Sequence, residues 1–243
     1  MSWSGAYDAP VAILPALMAT VPLMIGGPYG PVLHVTQQIG HSAEGRAIMA
    51  TESGAPQSPT RVLVVGCIHG NECAGIAVVR RLRQMRPPRT IDLWLVPTLN
   101  PDGRAADTRQ NGHGVDLNRN FSDGWAPNGG PGSTYYPGPR PFSEPETRAA
   151  RRLIERVRPT LSVWYHQHLR LVWAWGGSTG AARRYARAVG LRLFLSPNPG
   201  GTASRWQNRH FPGDVSFAVE LPAGPMSPAA ATRHEAAILA LAR

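Results

Sequence analysis

Lysine is absent from this chain: all 25 basic residues are arginine, set against 15 acids for a net charge of +10. A basic excess invites an anionic polymer as partner. Nucleic-acid binding, however, needs a basic stripe interleaved with aromatics. Here the arginines are dispersed, pairing only locally at Arg80-Arg81, Arg151-Arg152 and Arg183-Arg184 on helix-like surfaces. The excess therefore reads as a compositional preference for a stiff, always-charged side chain, and no nucleic-acid partner is expected. Cysteine is scarce too. Cys67 and Cys73 cannot build a disulfide framework and read as small buried thiols, with a local disulfide as the alternative. The most apolar stretch, Ala9 to Gly27, is broken by three prolines and has no basic residue before it. That excludes a conventional spanning helix and lacks the charged start of a secretory signal. Residues 1–31 thus read as an N-terminal apolar segment, either a signal remnant or a packed extension. Residues 32–243 read as a single domain, with compartment and oligomeric state left open.

From Val32 onward the pattern is regular. VLHVTQQIG, a turn at HSAEGR and AIMATES form a β-hairpin pattern. RVLVVGC (61–67), IDLWLVP (91–97), LSVWYHQ (161–167) and VSFAVELP (215–222) are short apolar runs suited to buried strands, and LVWAWGG is a further apolar run. Helical periodicity predicts helices from about Glu72 to Met85, Glu144 to Val157 and Ala181 to Val189, and from about Pro228. Ser143 and Pro145 mark the start of the second. Alternating strands and helices define an α/β class: a mixed, mostly parallel sheet covered on both faces. Ligands in such folds gather at the C-terminal ends of strands. His69, His166 and Glu220 all fall at or just past such ends. The Gly/Asn/Pro-rich excursion from Asn100 to Phe142 is too long for plain loop, and is expected to carry function or short elements.

Within GCIHGNECAG, His69 and Glu72 are three residues apart at a strand-to-helix junction, where a first helical turn would put both on one face toward a metal. Alone, that pair is more often a surface contact. Arg109 and Arg119 lie on the polar excursion, suited to polarising a carbonyl and to clamping a carboxylate. Glu220, in an apolar run, needs either an ion-pair partner or a catalytic role. SVWYHQHLRL offers His166 and His168, and strand periodicity does not choose between them.

Taken in order, IGHSAEGRAI (39–48), GCIHGNECAG (66–75), NPDG (100–103), GVDLNRNF (114–121), PFSEPET (141–147) and the strand ending VELP resemble the zinc metallocarboxypeptidases. That group includes a branch of bacterial murein-peptide amidases cutting γ-D-glutamyl bonds to diaminopimelate. The resemblance implies the α/β/α zinc carboxypeptidase fold and one zinc per chain held by His69, Glu72 and His166, the last chosen over His168 by position. It implies that Glu220 is the general base, that Arg109 polarises the scissile carbonyl, and that Asn118 and Arg119 hold a terminal carboxylate. The implied reaction is hydrolysis of a peptide or isopeptide bond beside a free carboxylate, in a peptide or muropeptide partner. A general carboxypeptidase, an N-acylamino-acid deacylase and an inactive peptide-binding module are the rivals. The family's loop tyrosine has no counterpart in LSPNPGGTASRW (195–206), and the pocket turn there carries no acid. Arg205, in that turn, is expected to meet an acidic substrate group.

Overall fold

The structure is a computed structural model describing Met1 and residues 33–242. The apolar stretch Ala9 to Gly27 and the boundary after residue 31 lie outside the described residues. Among the described residues no helix is long and apolar enough to cross a membrane.

Eight strands of the described residues form one mixed sheet: β1 (Leu33–His41), β2 (Ala47–Gly54), β3 (Arg61–Val65), β4 (Asp92–Val96), β5 (Leu161–Gln167), β6 (Leu171–Ala174), β7 (Arg192–Leu195) and β8 (Val215–Leu221). Their order is β1-β2-β4-β3-β5-β8-β6-β7. The central β4-β3-β5-β8 strands run parallel, while the β1-β2 hairpin joins antiparallel at one side and β6 joins β8 antiparallel at the other. The central strands are apolar along their length because both faces are covered.

Among the described residues six helices supply the cover: α1 (Ile76–Gln84), α2 (Pro101–Ala106), α3 (Pro145–Val157), α4 (Thr179–Val189), α5 (Ala203–His210) and α6 (Pro228–Leu241). On one face Val79, Leu82, Tyr185 and Ile238, from α1, α4 and α6, pack on Val64, Val163 and Val219. On the other, Leu153 and Ile154 of α3 and Trp206 of α5 pack with Phe121 on Leu63, Val65 and Trp164. Strand alternation carries the second face outward to His166 on β5 and Glu220 on β8, which are register partners.

Three expectations need correction. The helix expected from Glu72 starts only at Ile76, so His69 and Glu72 sit in a non-helical turn closed by the Glu72 N–H donating to the His69 carbonyl at 3.0 Å. Cys67 and Cys73 are joined by a disulfide bracketing that turn, their Cα atoms 4.7 Å apart, where free thiols were the default reading. Glu144, not Ser143, occupies the N-cap of α3, and the Ser143 hydroxyl bonds the Glu144 carboxylate at 2.6 Å. The excursion contains α2 and a 3₁₀ turn at Leu117–Arg119, as its length required. Strand β7 and helix α5 were not read from periodicity.

Candidate metal centre and cleft

Three donor atoms converge at the C-terminal end of the central strands. His69 Nδ1 lies 2.9 Å from Glu72 Oε2, His166 Nδ1 lies 3.2 Å from the same oxygen, and the two Nδ1 atoms are 3.2 Å apart. Among the described residues this is a group whose donors meet closely enough to share a metal ion. A tetrahedral zinc with ligands near 2.0–2.1 Å separates them by about 3.3 Å, so the spacing fits that ion. The donor set, two imidazoles and one carboxylate, is also that of open catalytic zinc sites. His168 is exposed on the cleft rim and lies outside this triad.

Around the triad stands a set of charged partners. Asp116, fully buried, accepts from His69 Nε2 at 3.0 Å and from the Asn118 N–H at 2.9 Å with one oxygen. Its other oxygen accepts from Arg109 Nε and Nη2 at 3.0 and 2.9 Å. Burial opposes ionisation of Asp116, yet His69 and Arg109 beside it hold its carboxyl well below the usual range. With Nε2–H donating a hydrogen bond to the Asp116 carboxylate, neutral His69 turns its Nδ1 lone pair toward Glu72 and His166. Burial likewise works against a charged Glu72, but the two histidines hold it far below the ordinary glutamate value. Arg109 Nη1 reaches Glu72 Oε1 at 2.7 Å.

Distant motifs position these groups. Asp102 of NPDG is bound by the Ser42 hydroxyl at 2.7 Å, the Glu44 N–H at 2.9 Å and Arg46 at 2.6 Å, which ties the first hairpin turn to α2. Asn100 caps α2 through the Gly103 N–H at 2.8 Å, while its amide donates to the Arg109 and Gln110 carbonyls. Gly103 then meets Gly70 so closely that a Cβ on Gly70 would lie 1.9 Å from the Gly103 carbonyl carbon. Glycine is required there by contact, which seats the His69 turn on α2. Asn120 organises the end of the excursion, donating to the Pro137 and Arg140 carbonyls and accepting from Thr147.

A cleft of about 530 Å³ opens over the triad, lined on its polar side by Arg109, Asn118, Arg119, Tyr135 and Glu220. Glu220 Oε2 is buried and has no hydrogen-bond partner among the described residues. Arg119 forms no ion pair among the described residues, and its one side-chain hydrogen bond runs from Nη1 to the Asn118 carbonyl at 2.7 Å. Burial pulls its pKa below the usual guanidinium value, Asp116 opposing and Arg109 adding to the shift. The Asn118 carboxamide accepts from the Ala203 N–H at 3.0 Å and lies 3.3 Å from His166 Nε2, so it braces the triad as well as facing the cleft. Arg205 is not brought to the cleft. Its Nε bonds Asp123 at 2.6 Å and its Nη1 the Asn198 carbonyl at 3.2 Å.

Sequence reasoning assigned no role to Asp116, Gln167 or Tyr135. Gln167 accepts from the Ala74 N–H at 3.0 Å and donates to the Pro222 and Gly224 carbonyls at 2.9 Å, strapping the turn after His69 to the loop after Glu220. Asp116 was legible as the acid of GVDLNRNF. Nothing local distinguished the other two.

A doubly covered α/β sheet thus aims two histidines and two glutamates into one cleft at its strand ends, with a donor set suited to a metal ion. The chain belongs to the zinc carboxypeptidase family, whose profile matches residues 30–198. Among curated proteins it is similar to murein peptide amidase A of Escherichia coli (strain K12), 30% identical over 148 residues that cover 55% of this chain and 60% of that protein. Human carboxypeptidase Z is 31% identical over 171 residues, 54% of this chain and 26% of that protein. The chain thus spans about 60% or less of these two relatives. Among solved structures, murein-tripeptide amidase from Escherichia coli O157 superposes with a TM-score of 0.68 at 25% identity, covering 88% of this chain and 94% of that one. Carboxypeptidase A from Helicoverpa armigera, with a TM-score of 0.74 at 20% identity over 86% of this chain and 68% of that one, shares the fold.

Proposed function

We propose that this chain hydrolyses a peptide or isopeptide bond next to a free carboxylate, with zinc held by His69, Glu72 and His166, and that its substrate is a murein-type peptide with a γ-D-glutamyl-diaminopimelate bond. One observation carries the reading: Glu220, whose Oε2 is buried and unbonded, and the half-buried guanidinium of Arg119 face the same cleft beside the donor triad, and among the described residues neither has a charged partner. Unpaired buried charge is destabilising unless a ligand completes it.

Zinc, when bound, supplies Lewis acidity, acidifying a water and polarising a carbonyl. Glu220, adjacent in register to His166, takes the proton of the attacking water and returns it to the leaving nitrogen. Arg109, held by Glu72 and Asp116 and one-fifth exposed to the cleft, offsets charge developing on the carbonyl oxygen. Arg119 receives the substrate carboxylate. The relatives named for murein peptides support that substrate class over the general carboxypeptidase reading, which the likeness to carboxypeptidase Z supports instead.

The test is mass-spectrometric cleavage of a γ-D-glutamyl-diaminopimelate tripeptide beside ordinary dipeptides, with and without chelator, in the wild type and Glu220→Gln. Chelator-sensitive cleavage of the tripeptide, reduced at least about 1,000-fold in Glu220→Gln with zinc still bound, is the expected result. Preference for ordinary C-terminal residues would favour the general carboxypeptidase. Zinc-free protein inert on every peptide would favour a binding module.

A further inference from the structure

The Tyr135 ring lies under two cations at once: Arg109 Cζ is 5.3 Å and Arg119 Cζ 5.1 Å from its centroid. Both distances are within cation–π range. The ring is half exposed, and it lines the cleft. Its segment is pinned rather than free. The Asp116 N–H donates to the Tyr136 carbonyl at 2.8 Å, the Tyr136 N–H to the Ser133 carbonyl at 3.1 Å, and the Gln110 amide to the Ser133 carbonyl at 3.1 Å. The tyrosine is therefore fixed relative to the acid that orients His69 and Arg109.

The two guanidiniums differ in what holds them. Arg109 is bound edge-on by the carboxylates of Glu72 and Asp116. Arg119 has no carboxylate among the described residues, and the aromatic face is its substitute. An acid at that position would grip Arg119 more strongly, but through the same N–H groups that a bound carboxylate needs, and binding would have to displace it. A ring attracts the cation by its face and uses none of the N–H donors.

Building on the proposed carboxylate-terminated substrate, we infer that Tyr135 is a positioning residue that orients the Arg119 guanidinium by its ring face and leaves the N–H edge open for the substrate carboxylate. The ring, not the hydroxyl, does this.

The experiment compares wild type with Tyr135→Phe, Tyr135→Trp and Tyr135→Leu as zinc-loaded proteins. It reads calorimetric binding of N-acetylglycine against N-acetylglycinamide, and KM and kcat on a cleaved peptide. Leucine is expected to weaken N-acetylglycine binding and raise KM roughly five- to tenfold, with kcat and amide binding within twofold of wild type. Phe and Trp are expected to stay within twofold of wild type on every measure. Wild-type affinity in Tyr135→Leu overturns the inference. So does equal loss in Phe, Trp and Leu, which would assign the role to the hydroxyl, and so does equal loss for acid and amide, which would mark general damage. A wild type that binds the acid no better than the amide also overturns it. A wild type that favours the acid yet cleaves no peptide defeats the proposed hydrolysis while the binding comparison still decides the role of Tyr135.

Discussion

Replacing Asp116 by asparagine keeps the shape of a buried side chain and removes the charge that two neighbours depend on. Four N–H groups, one each from His69 and Asn118 and two from Arg109, point at the carboxylate, and one oxygen serves His69 and Asn118 while the other serves Arg109. An asparagine has one oxygen and one NH2, so it can satisfy only one side. If the oxygen faces Arg109, the NH2 faces His69 Nε2, which must then present a lone pair and carry its proton on Nδ1, the atom aimed at Glu72 and His166. A protonated Nδ1 cannot ligate. If the oxygen faces His69 instead, the NH2 opposes the guanidinium and Arg109 loses its main anchor. Either outcome loosens the centre, and loss of the acid that orients a ligating imidazole lowers metal affinity by about 10- to 100-fold, or roughly 1.4–2.7 kcal/mol. Competition against a chromogenic chelator measures it directly. The rise in melting temperature on adding zinc should shrink in parallel, because stabilisation by a ligand follows its affinity. A folded Asp116→Asn protein that binds zinc within twofold of wild type would refute the assignment of Asp116 as the orienting acid.

Arg119→Ala should raise KM for free-carboxylate peptides by about 10- to 100-fold, the worth of a charge-assisted pair, and leave the corresponding amides unchanged in a steady-state comparison. Away from the cleft, His234 is buried with Nδ1 2.7 Å from the Tyr185 hydroxyl oxygen, and burial pushes its pKa down to about 4. Between that value and about 6.5 the unfolded chain binds the proton and the folded one does not, so the contribution is complete above about pH 6.5 and lost as pH falls toward 4. The full span is about 3 kcal/mol. Urea denaturation at pH 7 and pH 4.5 should show this slope reduced in His234→Gln, and an unchanged slope would exclude His234 as its source.

Legibility in the sequence followed the range of the interactions. Strands β3, β4, β5 and β8 are short apolar runs whose burial on both faces is written in their composition, and the sequence placed each within a residue or two. Strand β7 is an exposed edge with the pattern RLFL, and α5 is a polar eight-residue helix buried on one side only, so neither carries a strong period. The start of α1 was misjudged for a related reason. Helical composition continues back through Cys73, but the Gly75 Cβ position is occupied by Tyr165, and the preceding turn is held by contacts with β5 and α2 that no local pattern encodes. At the site, residue types that ligate or titrate announced themselves. Tyr135 did not, because an aromatic in a Gly/Pro-rich segment has no period, and its place under two arginines depends on the fold of the whole excursion. Arg205 shows the converse: its type suggested an anion partner, and the structure supplies one in Asp123 from within the chain.

The charge balance of the cleft supplies a second argument for the proposed free carboxylate. Counted by formal charge with both histidines neutral, as ligation requires, the carboxylates of Glu72, Asp116 and Glu220 outnumber the guanidiniums of Arg109 and Arg119 by one. A divalent cation on His69, Glu72 and His166 turns that into one positive charge in a partly desolvated cleft. One substrate carboxylate at Arg119 then brings the assembly to neutrality, whereas a terminal amide leaves the excess unbalanced where burial already disfavours charge on Arg119. Metal and carboxylate binding should therefore reinforce each other: N-acetylglycine affinity should fall when zinc is removed, and fall further than that of its amide. Equal affinity for the acid with and without metal would break the argument, because the two ligands would then complete separate charges and not a shared one.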